Sequence, residues 1–320
     1  MNSTYQIAHI SDPHISRQHY REHIKSFKML LRAIVDEGVD HIVISGDIVS
    51  TADEEDFFLA REILSNLKLL QSERLTVVPG NHDIFGGPHR ALDVLSFPRY
   101  IRNVDYHRRM GLFLNAFAET FDGVRWLRPD SPFPFIKEVG TLNIIGLNSV
   151  PSWSLRRNPL GTNGGLDDQQ LAALEKLDVS MLGEKMNIVV IHHHFNDLHQ
   201  SEYDAGNFLR RIESNTMRMR RRRKLIRLFQ SLNVRYVLHG HIHRNEFYDR
   251  SGILFANGAG AVCDDPVKFL KYNILKFEDG YCNIKIRQLS LPYQISAVTQ
   301  ALHRRHQPLH MPIFAMKSLE

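Results

Sequence analysis

Residue types that bind cations and move protons recur in this chain as short clusters, each directly after an apolar run. Asp12-Pro13-His14 lies just past QIAHI, Gly46-Asp47 follows HIVIS, and Gly80-Asn81-His82-Asp83 follows LTVVP. His192-His193-His194 follows NIVVI, and Gly240-His241-Ile242-His243 follows RYVLH. Mixed imidazole, carboxylate and carboxamide donors suit divalent transition metals such as Mn, Fe or Zn, whereas Mg and Ca favour more oxygen. Each cluster alone has an ordinary explanation: an Asp caps a turn, Gly-Asp is a common turn pair, and a histidine run can be solvated. Five in succession, at the ends of successive strands, point to one shared site. Such groups are costly to bury unpaired, so a cation is expected among them.

The elements that must deliver these clusters are legible in the apolar pattern. Residues 6–10, 41–45, 75–79, 143–147, 187–191 and 235–239 are short, β-branched runs that read as buried strands. Between the first two, Ile24, Phe27, Leu31, Ile34 and Val35 share one helix face that stops at Gly38; between the next two, Phe58, Ile63, Leu67 and Leu70 repeat the pattern. Alternating strands and helices predict an α/β sheet protein whose strand C-termini face the ligand. Residues 85–135 break the rhythm with a proline-rich stretch around one helical segment near 107–121, read as an insertion or lid outside the sheet. A helix capped by Asp167 follows. After residue 250, GILFA, YNILKF and CNIKIRQL suggest an antiparallel finish to a second sheet. The organisation read from the chain is one domain over 1–290 and an extension of unassigned role over 291–320.

The ordered series Asp-x-His, Gly-Asp, Gly-Asn-His-Asp, His and Gly-His-x-His resembles the calcineurin-like metallophosphoesterases over about residues 5–260. The run GDIVSTADEEDFFLAREIL is further similar to the branch holding cyclic-nucleotide and glycerophosphodiester phosphodiesterases. The resemblance implies two mixed β-sheets packed face to face with flanking helices, an αββα sandwich. It implies two divalent metal ions: Asp12, His14 and His243 on the first, Asn81, His192 and His241 on the second, and Asp47 bridging. His193 stays open as an alternative to His192. A hydroxide bridging the metals would attack a phosphodiester, His82 would protonate the leaving group, and Asp83 would orient His82. There are two departures from the family pattern: Ser50 stands where Asn or Asp is usual, and the fifth motif, usually His-His-Pro, continues here as His194-Phe195-Asn196-Asp197.

The 40 basic and 35 acidic residues give a formal charge of +5, compatible with a polyanionic partner but not requiring one. Two cysteines, Cys263 and Cys282, exclude a disulfide framework or a cysteine-rich zinc module. No stretch is long and apolar enough to span a membrane and no secretory signal is evident, so a cytoplasmic location is expected. From Ser214 to Asn245 there is no acidic residue, and the run includes Arg220, Arg221, Arg222 and Arg223. It reads either as a solvated helix start or as a contact for nucleic acid or acidic lipid. The rival functions are a metal-dependent nuclease, a lipid-phosphate or phosphomonoester hydrolase, and a scaffold without metals. The scaffold predicts eroded ligands, and none is eroded.

Overall fold

The computed structural model describes residues 4–88, 91–196, 219–243, 245–258, 269–278 and 280–290. β1 (Tyr5–Ile10), α1 (Arg21–Asp36), β2 (His41–Ile44), α2 (Glu54–Asn66) and β3 (Leu75–Val77) build a parallel β-α-β-α-β unit. On α1 the residues Phe27, Leu30, Leu31 and Ile34 are buried on the face that the apolar spacing predicts. On α2 the buried face is Phe57, Ala60, Ile63 and Leu64. Phe58, expected inside, is 61% exposed and lies under the Arg17 guanidinium. The neighbouring Phe57 takes the core position because it lines up with Ala60, Ile63 and Leu64 at helical spacing, while Phe58 is turned about 100° further round the helix.

α3 (Asn81–Phe85), α4 (Ala91–Ile101) and α5 (Tyr106–Ala116) come next, then β4 (Arg125–Trp126), β5 (Phe135–Val139) and β6 (Leu142–Gly146). The expected insertion therefore holds two helices beyond α3 rather than one, and it is not wholly outside the sheet, because β4 pairs with β5. α6 (Asp168–Glu175) starts as expected from Asp167, whose carboxylate accepts from the Gln170 N–H at 2.6 Å. β7 (Met186–Val190), α7 (Arg222–Ser231), β8 (Val234–His239), β9 (Phe247–Arg250) and β10 (Ile253–Asn257) follow, and β11 (Phe269–Glu278) and β12 (Tyr281–Ser290) close the described chain.

Two mixed sheets result, a five-stranded one ordered β12-β11-β1-β2-β3 and a seven-stranded one ordered β4-β5-β6-β7-β8-β10-β9. YNILKF and CNIKIRQL thus do not extend the second sheet: β11 returns to lie antiparallel to β1, with Ala8 opposite Ile274. Nothing local in those runs specifies a partner some 260 residues away in sequence; the partner is chosen by burial, since β1 otherwise has one edge unpaired. GILFA does join the second sheet, but parallel to β8.

Strand alternation sorts the second sheet between two cores. Ile144, Ile188, Val190 and Leu238 join the cluster that includes the first sheet, α1 and α2. Their neighbours Ile145, Val189, Ile191 and Val237 pack with Leu171 of α6 and Leu225 and Phe229 of α7. Helices therefore flank two facing sheets, the αββα arrangement. Among the described residues no helix is long and apolar enough to cross a membrane. The tail 291–320, Cys263, and Met217 and Arg218 of the basic run lie outside the described residues.

Candidate metal centre

Every ligand-type cluster expected from the sequence sits just beyond the C-terminal end of β1, β2, β3, β7 or β8, and the two sheets bring them together. Their backbones are unusual. Asp12, His14, Asp47, His241 and His243 all have positive φ, between 44° and 77°. Non-glycine residues rarely adopt this region, at a cost of about 1–3 kcal/mol each, and such residues concentrate where side-chain direction matters more than stability. The loops also pack too closely for side chains at two glycines. A Cβ on Gly80 would collide with the backbone N and carboxylate of Asp47, and one on Gly46 would meet the His192 ring.

Two donor groups share the pocket. In the first, His243 Nε2 lies 3.4 Å from Asp12 Oδ1 and 3.0 Å from His14 Nε2, and His14 Nε2 lies 3.7 Å from Asp47 Oδ2. In the second, His192 Nε2 lies 3.3 Å from Asp47 Oδ2, 3.2 Å from Asn81 Oδ1 and 3.2 Å from His241 Nδ1. Asp12, His14 and His243 form one set able to hold a cation, and Asp47, His192 and His241 another. A third set, His14, Asp47 and His82, overlaps the first.

The hydrogen-bond pattern fits the metals that the resemblance implies. The Ser45 carbonyl can only accept, so at 2.8 Å it fixes the proton of His192 on Nδ1. That leaves Nε2 as the nitrogen facing Asp47 and the Asn81 oxygen. Acceptors converging on one point call for a cation there, either a proton on Nε2 or a metal bound in its place. The field says the same. Burial pushes the His192 pKa down, yet the charges of Asp47 and Asp12 and the bond to Asp47 raise it to about 9. Burial opposes ionisation of Asp47, but His192, His82 and His14 hold its pKa well below the usual value. Of the three consecutive histidines, His192 is the one against Asp47 and Asn81. His193 instead has Nδ1 2.8 Å from Ser149 Oγ and its ring centroid 4.5 Å from that of His241.

His82 is half-buried at the edge of the pocket, its ring centroid 4.5 Å from that of His14, while its N–H donates to Asp47 Oδ1 at 2.7 Å. The expected pairing with Asp83 is absent. The Asp83 carboxylate accepts from the backbone N–H of Val49 at 2.9 Å and of Gly80 at 2.8 Å, and it is His82 Nδ1 that faces the Ser50 carbonyl, at 3.4 Å. Asp83 caps α3, and its pKa is raised to about 8 by burial and by Asp47. It thus holds the Asn81-His82 turn in place rather than orienting the imidazole. At the first departure from the family pattern, Ser50 Oγ donates to the His14 carbonyl at 2.9 Å, fixing the turn that carries His14.

Sequence reasoning missed the small polar residues behind the ligands. Ser45 bonds His9 through its hydroxyl at 2.9 Å and His192 through its carbonyl, and Ser149 holds His193. Their only signal was a serine at the end of an apolar run, which is too common to single out. The described part of the basic run is largely tied to the protein. Arg221 pairs with Asp168, Lys224 with Glu175 at 2.7 Å, and Arg222 donates to the Phe195 carbonyl at 2.9 Å. Arg220 instead reaches the Arg157 carbonyl, at 3.4 Å.

Comparison with solved structures finds one of similar fold at low identity. A dimetal phosphatase from Danio rerio aligns with a TM-score of 0.56 at 14% identity, covering 90% of this chain and 99% of its own. Phosphopantetheinyl hydrolase from Mycobacterium tuberculosis aligns with a TM-score of 0.42 at 17% identity, covering 81% and 90%. No curated protein matches the sequence. The family profile described as calcineurin-like phosphoesterase matches residues 5–245, a span running from β1 to just past His243 that takes in both donor groups. The order of the motifs, the sandwich that gathers them and this match agree: the chain belongs to the calcineurin-like phosphoesterases, hydrolases of phosphoester bonds.

Proposed function

We propose that the chain hydrolyses phosphodiesters at a centre of two divalent transition-metal ions, Mn, Fe or Zn. Asp12, His14 and His243 would hold one ion, Asn81, His192 and His241 the other, and Asp47 both. The observation that carries this reading is the position of Asp47, with Oδ2 3.7 Å from His14 Nε2 and 3.3 Å from His192 Nε2. One carboxylate thereby faces both donor groups. Bound ions of this kind lower the pKa of water and neutralise charge on phosphoryl oxygens. The protein's own residues set the geometry around that chemistry. Ser45 keeps the His192 lone pair directed inward, and the Asp12 carboxylate accepts the His241 N–H at 3.0 Å, tying the β8 loop to the β1 loop.

His82 is the residue assigned to the leaving group. His82 Nδ1–H donates to the Ser50 carbonyl, so that in the doubly protonated ring Nε2 is the nitrogen that delivers a proton to the departing oxygen. The preference for a diester rests on the branch resemblance of the run beginning at Gly46. Residues 1–290 are taken as the catalytic unit, because β1 is closed by β11 and β11 by β12, and residues 291–320 as an extension. With added Mn, bis(p-nitrophenyl) phosphate should turn over faster than p-nitrophenyl phosphate; the reverse order would remove the diester assignment. The nuclease and lipid alternatives find no support in the basic run, since Arg221, Arg222 and Lys224 bind their own chain.

A further inference from the structure

A cavity of about 500 Å³ opens between the starts of α5, α6 and α7 and the segment after β6. That volume falls within the ~300–1,000 Å³ range of small-molecule sites. Apolar residues in its wall include Val150, Leu166 and Leu225, and its charged wall carries Arg157 and Arg220. Two carboxylates also line it, but both have partners: Asp168 pairs with Arg221, and Asp167 caps α6 and lies 3.6 Å from Arg128. Among the described residues neither the Arg157 nor the Arg220 guanidinium has a carboxylate within ion-pair distance. The Arg220 guanidinium reaches the backbone carbonyl of residue 157 at 3.4 Å, and both arginines line the same cavity.

Two contacts join the cavity wall to residues next to the proposed ligands. Tyr106 in its wall packs on Phe85, at 6.4 Å between ring centroids, and Phe85 ends the short helix that begins with Asn81 and His82. On the other side Gly164 lies between His193 and Arg220. A Cβ on Gly164 would lie 2.5 Å from His193, while the Gly164 carbonyl accepts the Arg220 N–H at 2.9 Å. Two arginines in a wall that also carries apolar residues suit a phosphate attached to a less polar body.

We propose that this cleft is a subsite for a second phosphate group, so that the substrate is a phosphoester of about nucleotide size carrying a further phosphate away from the bond that is cut. This rests on the phosphoesterase reading for its place in catalysis, but binding can be tested apart from it. The probe is ADP, titrated calorimetrically into full-length protein freed of metal with EDTA. Wild type should bind it, and the Arg157→Gln/Arg220→Gln double variant should raise Kd by about tenfold or more, as loss of charge-assisted contacts predicts. Arg223→Gln removes an equal charge from the same run outside the cleft and should leave Kd unchanged. Absence of ADP binding in wild type would overturn the subsite. So would an equal loss in Arg223→Gln, which would indicate diffuse attraction for a polyanion. With Mn restored, bis(p-nitrophenyl) phosphate lacks a second phosphate and should be hydrolysed equally by wild type and the double variant; a matching loss of kcat/KM would also overturn it. If wild type binds ADP through these arginines yet hydrolyses no diester, the diesterase reading fails and the subsite stands.

Discussion

Lys137 ties the two sheets together at a site remote from the ligands, and its ionisation gives the fold a calculable pH dependence. It lies on β5 of the seven-stranded sheet, is 3% exposed, and donates through Nζ to the Leu75 carbonyl of β3 in the other sheet at 2.7 Å and to the Thr120 carbonyl. Burial lowers its pKa from 10.5 to about 7, only partly offset by the charges of Glu73 and Asp122. A lysine whose folded pKa lies below its unfolded value costs stability once the pH falls beneath the unfolded value, and the cost is full below the folded one. Stability should therefore rise between pH 7 and 10.5. At 1.36 kcal/mol per unit, allowing for half-protonation of the folded state near neutrality, the gain from pH 7 to pH 9 is about 2 kcal/mol. Lys137→Met keeps the volume and removes the titration. Urea denaturation at the two pH values should show wild type gaining about 2 kcal/mol more than the variant. Parallel changes in both proteins would refute the assignment of a lowered pKa to this amine.

The remaining expectations concern the centre. His82→Ala should keep both metals and lose roughly 10²–10⁴ in rate on a diester with a poor leaving group, but far less on an activated aryl diester. Equal losses on both substrates would reject proton delivery, and loss of metal would instead make His82 a ligand, as its place beside His14 and Asp47 allows. Gly80→Ala puts a methyl group into the Asp47 backbone and should destabilise the fold by about 1–3 kcal/mol and lower metal content, measured by thermal melting and elemental analysis. Unchanged metal content and melting would mean that the β2 and β3 loops do not need this close approach.

Much of this site was readable in advance because its chemistry is local. A ligand directly after a strand is marked by the strand's own apolar run, so Asp12, Asp47, Asn81, His192 and His241 could be placed without knowing how the strands assemble. What could not be read were relations between distant segments. Asp83 stands next to His82 in sequence, but it bonds to Val49 and Gly80, since consecutive helical residues point in different directions. The partners of β11 and β12 depend on which edge of which sheet is free, a tertiary matter. Phe57 and Phe58 are chemically identical, and only the rotation of α2 decides which is buried. The basic run looked like a polyanion contact because the acidic residues that neutralise part of it, Asp168 and Glu175, lie some 50 residues earlier on α6.

The most direct test is the metal content of purified Asp47→Asn beside that of Asp12→Asn and wild type, by elemental analysis after loading with Mn. Among the described residues Asp47 is the one carboxylate that faces a ligand imidazole in both donor groups, so Asp47→Asn should lose metal from both positions and all activity. Asp12→Asn removes a donor of the first group and meets the second only through the His241 backbone N–H, so it should retain close to one equivalent. Two equivalents of metal and normal turnover in Asp47→Asn would contradict the bridging role on which the account rests.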